Sequence, residues 1–182
     1  LATDALTNLG RWDRWYGLLG DDPEPYGDPT TYQLGAGWLR DCSLVEDWGC
    51  GKGYLKTFIP PARYRGLDGS RTPFADEVVD LARYRSRVPG IFMRHVLEHD
   101  LRWTRILDNA VASFTERMAL IVFTPLVAET QEVAFNDDPG VPDIAFNIDD
   151  LTSRFGGARW RSETLVTGTQ YEVETVFFLE RP

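Results

Sequence analysis

The chain has 182 residues, 43% of them hydrophobic and 13% aromatic, which is the size of one domain with enough apolar material for a sizeable core. Lys plus Arg number 19 against 28 Asp plus Glu, a formal charge of −9 that repels phosphate backbones and anionic lipid surfaces unless a local basic patch overrides it. Nucleic acid and membrane are disfavoured as partners: no run approaches the ~20 apolar residues of a membrane span, no basic-then-apolar signal segment opens the chain, and the expectation is a soluble, cytoplasmic protein.

Cys42 and Cys50 are the two cysteines, too few for a disulfide framework and without the paired spacing of a zinc site. Leu1 in place of Met fits a chain trimmed at its N-terminus. Leu6, Leu9, Trp12, Trp15, Tyr16 and Leu19 recur at three-to-four spacing, which predicts an amphipathic helix. Gly20 to Thr31 packs three prolines among acids and glycines and reads as a loop. Asp28 can then cap a helix with Pro29 at its first position, running through Tyr32 to Leu39. Residues 1–43 read as a helical appendage to a core at 44–182.

From Leu44 the pattern changes to short apolar runs: Leu44–Trp48, Tyr64–Leu67, Val78–Leu81, Gly90–Met93 and Met118–Phe123. Such runs suit strands buried on both faces. Trp103, Ile106, Leu107, Ala110, Val111 and Phe114 mark the clearest helix. The alternation predicts a doubly wound, Rossmann-like α/β sheet of about seven strands, with its ligand crevice beyond the carboxyl ends of the strands. Residues 124–146 carry three prolines and no sustained period, as a long lid-like loop would. Asn147 and Asp150 resemble a capping pair for a short helix ended by Gly156 and Gly157. The remainder reads as two strands around Gly168 and Thr169, closing the sheet with an antiparallel hairpin.

The segment V-E-D-W-G-C-G-K-G, residues 45–53, places three glycines directly after a strand, where a missing Cβ lets the backbone turn and approach a ligand. A dinucleotide fingerprint wants its third glycine where Tyr54 stands, and a P-loop wants Ser or Thr where Gly53 stands. Some twenty residues on, Y-R-G-L-D ends a strand on Asp68, a position from which a carboxylate can accept the hydroxyls of a ribose.

Together these motifs resemble the class I S-adenosylmethionine-dependent methyltransferases over residues 44–182, with the glycine turn as their first motif and G-L-D-G-S as their second. The resemblance implies that Asp47, Gly49, Gly51 and Gly53 surround the methionine end of the cofactor. It implies further that Asp68 holds the ribose and that Asp80 and Leu81 border the adenine.

Beyond the fourth strand stands R-H-V-L-E-H-D, residues 94–100, holding both histidines of the chain. A His near its ordinary pKa of ~6.5 can take a proton from an acceptor hydroxyl, and His95 leads the cluster, with Glu98 to orient it or balance its charge. Two other readings stand beside this one. V-L-E-H also shapes a plain turn in many small-molecule methyltransferases. The segment also resembles the magnesium-dependent ubiquinone-pathway and small-RNA O-methyltransferases, which implies that His95, Glu98 and His99 bind Mg2+ or another divalent cation. Those enzymes have a carboxylate where this chain has His95, and imidazole suits magnesium less well than oxygen.

The stretch from Arg94 to Ala110, followed by I-V-F-T-P-L, is similar to actinobacterial sugar and polysaccharide O-methyltransferases. That implies a carbohydrate or other small polar acceptor, for which Trp12, Trp15, Tyr16, Tyr26, Tyr32 and Trp38 could supply aromatic walls; packing in a core or a homodimer would use the same rings. A small-RNA-type enzyme and a non-catalytic cofactor-binding or dimerisation module are the alternatives. The acidity opposes the first, and the His95 and Glu98 pair opposes the second.

Overall fold

A computed structural model describes residues 8–18 and 25–182; Leu6, Leu19 and the first part of the expected proline-rich loop lie outside these. Helix α1 covers Asn8–Tyr16 and α2 covers Thr30–Trp38. Asp28 accepts a hydrogen bond from the Thr30 N–H at 2.7 Å, but the helix starts at Thr30 with Pro29 in the cap position, one residue later than expected. The strands and helices that follow are β1 (Val45–Trp48), β2 (Tyr64–Asp68), β3 (Glu77–Val78), β4 (Val88–Arg94), α3 (Trp103–Ser113), β5 (Phe114–Val122), β6 (Gln131–Asn136), β7 (Val141–Ala145), α4 (Ile148–Thr152), β8 (Arg159–Val166) and β9 (Val173–Glu180).

Seven strands form one sheet in the order β3-β2-β1-β4-β5-β9-β8, parallel as far as β5 and antiparallel at β9 and β8. This is the expected α/β architecture with its closing hairpin. Because successive side chains of a strand face opposite ways, the sheet has two cores. Trp48, Ile91, Met93, Leu120 and Phe177 pack with Ile106, Leu107 and Ala110 of α3. Their neighbours Val45, Phe92, Ala119, Ile121, Val176 and Phe178 pack with Ala36 of α2, Leu39, Leu55 and Ile59. Both faces are covered, which is why the strands read as continuous apolar runs. Among the described residues no helix is long and apolar enough to cross a membrane.

The structure departs from the sequence reading at three places. The connections between β1 and β2 hold two short 3-10 turns, Tyr54–Thr57 and Pro61–Arg63, because Pro60 and Pro61 stop a helix from growing. Of the run Val78–Leu81 only Val78 is in a strand. Residues 124–146 are more than a loop: β6 and β7 pair antiparallel as a separate two-stranded sheet. Pro142 and Asp143 disguise β7 in the sequence, since both residue types are depleted in strands.

Register sets the position of the site. Trp48 pairs with Leu67 on one side and Met93 on the other, so the chain leaves β1, β2 and β4 at one rim. Gly49, Asp68 and His95 come out there side by side.

Candidate active site

After Trp48 the backbone turns through Gly49, Gly51 and Gly53 at φ of 80°, 51° and 68°, the left-handed region that costs glycine little. Space demands glycine as well: a Cβ on Gly49 would lie 2.3 Å from Val96 Cγ2, and one on Gly51 2.7 Å from the Tyr16 hydroxyl. The turn is fastened to β2. The N–H groups of Gly49 and Cys50 donate to the Leu67 carbonyl, and the Gly51 N–H donates to Asp68 Oδ2 at 2.9 Å. Asp68 Oδ1 accepts from both the N–H and the hydroxyl of Ser70. Burial pushes the Asp68 carboxyl up from its ordinary pKa, and these hydrogen bonds oppose the shift. Asp47 sits behind the turn, where it accepts the Tyr64 hydroxyl at 2.9 Å and burial raises its pKa to about 7.

Two cavities open at this rim and share Trp12, Tyr16, Gly49, His95 and His99 as a common wall. The first, about 90 Å³, reaches Asp68, Ser70, Asp80, Leu81 and Arg102. The second, about 200 Å³, is walled by Trp15, Tyr26 and Tyr32 with Gly51, Lys52 and Arg94. Of the expected cofactor residues, Gly49, Asp68, Asp80 and Leu81 border the first cavity and Gly51 the second; Asp47 and Gly53 border neither. Asp80 is already engaged, accepting Arg102 at 3.0 Å and the Ala82 N–H at 3.1 Å. Helix α1 lies across the crevice and is tied to three of its walls. Asn8 donates to the His99 carbonyl and to Asp100 at 3.1 and 3.2 Å, Arg11 donates to the Gly140 carbonyl, and Asp13 accepts the Arg71 N–H. Of the six aromatic residues noted in the sequence, Trp38 alone is elsewhere, packed on Phe178.

The two histidines face the crevice with different partners. His95 has a positive φ of 56° and its Nε2 donates to Glu174 Oε1 at 2.7 Å. Glu174 on β9 also accepts Thr31 at 2.9 Å and pairs with Arg94 at 2.8 Å. Burial, then the Arg94 charge, lowers the His95 pKa to about 3, so the ring is neutral with its proton on Nε2. Its Nδ1 is buried and has no hydrogen-bond partner among the described residues. His99 Nδ1 lies 3.0 Å from the Pro142 carbonyl and 3.1 Å from Asp143 Oδ1, two acceptors that place the proton on Nδ1. Burial favours the neutral ring, but the hydrogen bond to Asp143 and the charge of Glu98 outweigh it and the His99 pKa is raised.

Glu98 is not the partner of His95. Its Oε1 accepts the Phe123 N–H at 2.7 Å, it is completely buried, and burial raises its pKa to about 7. Of the expected metal set of His95, Glu98 and His99, His95 Nε2 is held by Glu174 and Glu98 Oε1 by the Phe123 N–H, while His95 Nδ1 and Glu98 Oε2 are buried without a partner among the described residues. Among the described residues no three His, Cys, Asp or Glu side chains are gathered to hold a metal ion. The residues that the sequence did not single out are Glu174, Asp143, Arg94 and Arg102. Asp143 lies in the segment marked as a lid, and nothing local in the sequence distinguishes Glu174 from other acids.

The sequence matches no protein-family model and no curated protein. Solved structures match the whole fold. The S-adenosylmethionine complex of magnesium protoporphyrin IX methyltransferase from Synechocystis PCC 6803 aligns with a TM-score of 0.70 at 17% identity, over 100% of both chains. The 1,6-didemethyltoxoflavin N1-methyltransferase of Burkholderia thailandensis, bound to S-adenosylhomocysteine, aligns at 0.66 and 15% identity over 84% of this chain and 76% of its own. The [4+2]-cyclase SpnF aligns at 0.67 and 10% identity over 96% and 93%. The fold is that of the class I S-adenosylmethionine-dependent methyltransferases. At these identities the likeness extends to fold alone.

Proposed function

We propose that the protein is an S-adenosylmethionine-dependent O-methyltransferase acting on a hydroxyl of a sugar, oligosaccharide or similar small polar acceptor. The observation that carries this reading is the shared wall: the cavity that reaches Asp68 and the aromatic-walled cavity meet at Gly49, His95 and His99. We assign the adenosyl group to the first, since Asp68 is a buried acceptor at the ribose position and Leu81 supplies an apolar surface for a base. When bound, the cofactor supplies a methyl group on a positively charged sulfur. The protein's part is to hold the acceptor oxygen in line with that methyl and to receive its proton. Rings at the second cavity suit the apolar faces of a sugar, while its histidines suit the hydroxyls.

Against the small-RNA alternative stands the pairing of the arginines. Arg65, Arg102, Arg117, Arg154 and Arg159 each form an ion pair with an acid, which leaves less basic surface for a phosphate backbone. The test is incubation of the full chain with S-adenosylmethionine and separate panels of glycans, small phenols and short RNAs, read by mass spectrometry. A gain of one methyl on a glycan or small polar hydroxyl supports the proposal. Methylation confined to RNA overturns the acceptor class, and cofactor binding with no methylated product from any panel overturns the enzyme.

A further inference from the structure

The two histidines of the crevice are not equivalent, and the difference lies in the carboxylate behind each. Glu174 has a cation of its own, because Arg94 is paired with it in the core and both side chains are at most 3% exposed. His95 therefore meets a carboxylate whose charge is already balanced, and the nitrogen it has left, Nδ1, is buried. Asp143 has no arginine or lysine among its hydrogen-bonding partners. Its side chain is fully buried and accepts Asn136 Nδ2 at 2.7 Å, the Tyr171 hydroxyl at 2.9 Å and Gln170 Nε2 at 3.4 Å. These are neutral donors from β6 and from the turn between β8 and β9. They hold the carboxylate in one orientation, with Oδ1 on His99 Nδ1.

Around His99 stand Asp143 and the Pro142 carbonyl from β7, Glu98 and Asp100 from its own turn, and His95 across the crevice. Trp12 of α1 and Phe123 flank the ring at 5.3 and 5.4 Å between centroids. These two ring contacts and the Nδ1 contacts hold the imidazole in place. The second nitrogen, Nε2, has no hydrogen-bond partner among the described residues, and the ring borders both cavities.

We infer that His99 is the base that receives the acceptor's proton and that Asp143, carried on the β6–β7 hairpin, is its positioning residue. This rests on the methyltransferase reading given above. As the acceptor oxygen bonds to the methyl carbon, the carbon–sulfur bond breaks and its electron pair goes to sulfur, while the oxygen's proton passes to His99 Nε2. Nδ1 keeps its proton, and Asp143 stays ionised and balances the imidazolium. Because Asp143 belongs to the separate hairpin and not to the main sheet, the base is complete only with β7 packed against the turn that carries His99.

The test uses the full chain with its imidazoles labelled with nitrogen-15. The chain has only two histidines, and the structure gives them opposite tautomers, Nε2–H on His95 and Nδ1–H on His99. Spectra of the wild type, taken at a pH high enough that His99 is neutral, should show one ring of each kind, the Nδ1–H ring being lost in His99→Gln. In turnover with the acceptor found above, Asp143→Asn should lower kcat about 100-fold with KM for cofactor and acceptor within about twofold, the loss expected when a base loses its orienting carboxylate. Tyr171→Phe, which removes one donor from Asp143, should lower kcat by less and in the same direction. Two Nε2–H rings in the wild type, or Asp143→Asn turning over within threefold of it, overturns the inference. Failure of the wild type to methylate any acceptor is a separate result against the methyltransferase reading, and the spectra still decide whether the His99–Asp143 pair is formed.

Discussion

Replacing Asp68 separates two jobs that the structure gives to one carboxylate. It anchors the glycine turn through the Gly51 N–H and Ser70, and it borders the cavity where a ribose would lie. A hydrogen bond to an ionised acceptor is worth roughly 1.5–3 kcal/mol, so losing the charge should weaken S-adenosylhomocysteine about 10- to 150-fold. Asp68→Asn is the appropriate change, since its amide oxygen still accepts from one side of the turn. Thr72→Val is its control: the Thr72 hydroxyl donates to the Gly51 carbonyl at 2.7 Å, so this variant loosens the same turn, and Thr72 borders neither cavity. Calorimetry should show the large loss of affinity in Asp68→Asn, while Thr72→Val, which also gives up the hydrogen bond from the Phe74 N–H at 3.3 Å, mainly loses about 1–3 kcal/mol of stability, as for two hydrogen bonds. Equal affinity losses in the two variants would mean that Asp68 acts only through the turn, and an unchanged affinity in Asp68→Asn would remove it from cofactor binding altogether.

Two further changes probe buried charge. Glu174→Gln leaves the Arg94 guanidinium buried without a counter-charge, which should destabilise the fold by about 3–5 kcal/mol in urea unfolding; a double change with Arg94→Met should recover much of that, and no recovery would refute the pairing argument. Asp47 has its pKa raised by burial to about 7 from 3.8, so the folded state holds a proton that the unfolded state releases between these values. Its contribution is fully present below pH 3.8 and is lost as the pH rises through 7, at a cost of up to about 4 kcal/mol at higher pH. Asp47→Asn, which cannot ionise and can still accept from Tyr64, should therefore gain stability over the wild type as the pH is raised from 4 to 8. A stability difference independent of pH would show that Asp47 is not held protonated.

What was legible in the sequence was local. The strands β1, β2 and β4 and the helix α3 announce themselves because each buries a run or stripe of apolar residues against a neighbour already implied by the pattern. The glycine turn is legible for a similar reason, since three left-handed residues within five positions strongly favour glycine. The partners of the histidines were not legible. Glu98 is three residues from His95 and looks like its companion, yet a one-turn connection after β4 points it into the core at Phe123. Glu174 is 79 residues from His95, and Asp143 sits on a strand whose proline and aspartate hide it. Sequence spacing carries information where a helix or a strand imposes a period, and the 94–100 segment follows neither.

The connections between β1 and β2, cut short by Pro60 and Pro61, bear on why residues 8–38 matter to the crevice. A sheet whose front connections are 3-10 turns has little of its own with which to roof the rim. The roof comes from the start of the chain: Trp12, Tyr16, Tyr26 and Tyr32 form one side of the cavities. Thr31 completes the Glu174 cluster in the sheet, and Asn8 reaches across to Asp100. Each of these contacts joins segments more than sixty residues apart, so the energy that closes the crevice is tertiary. An N-terminal segment that reads as an appendage in the sequence thus supplies the aromatic walls of the crevice.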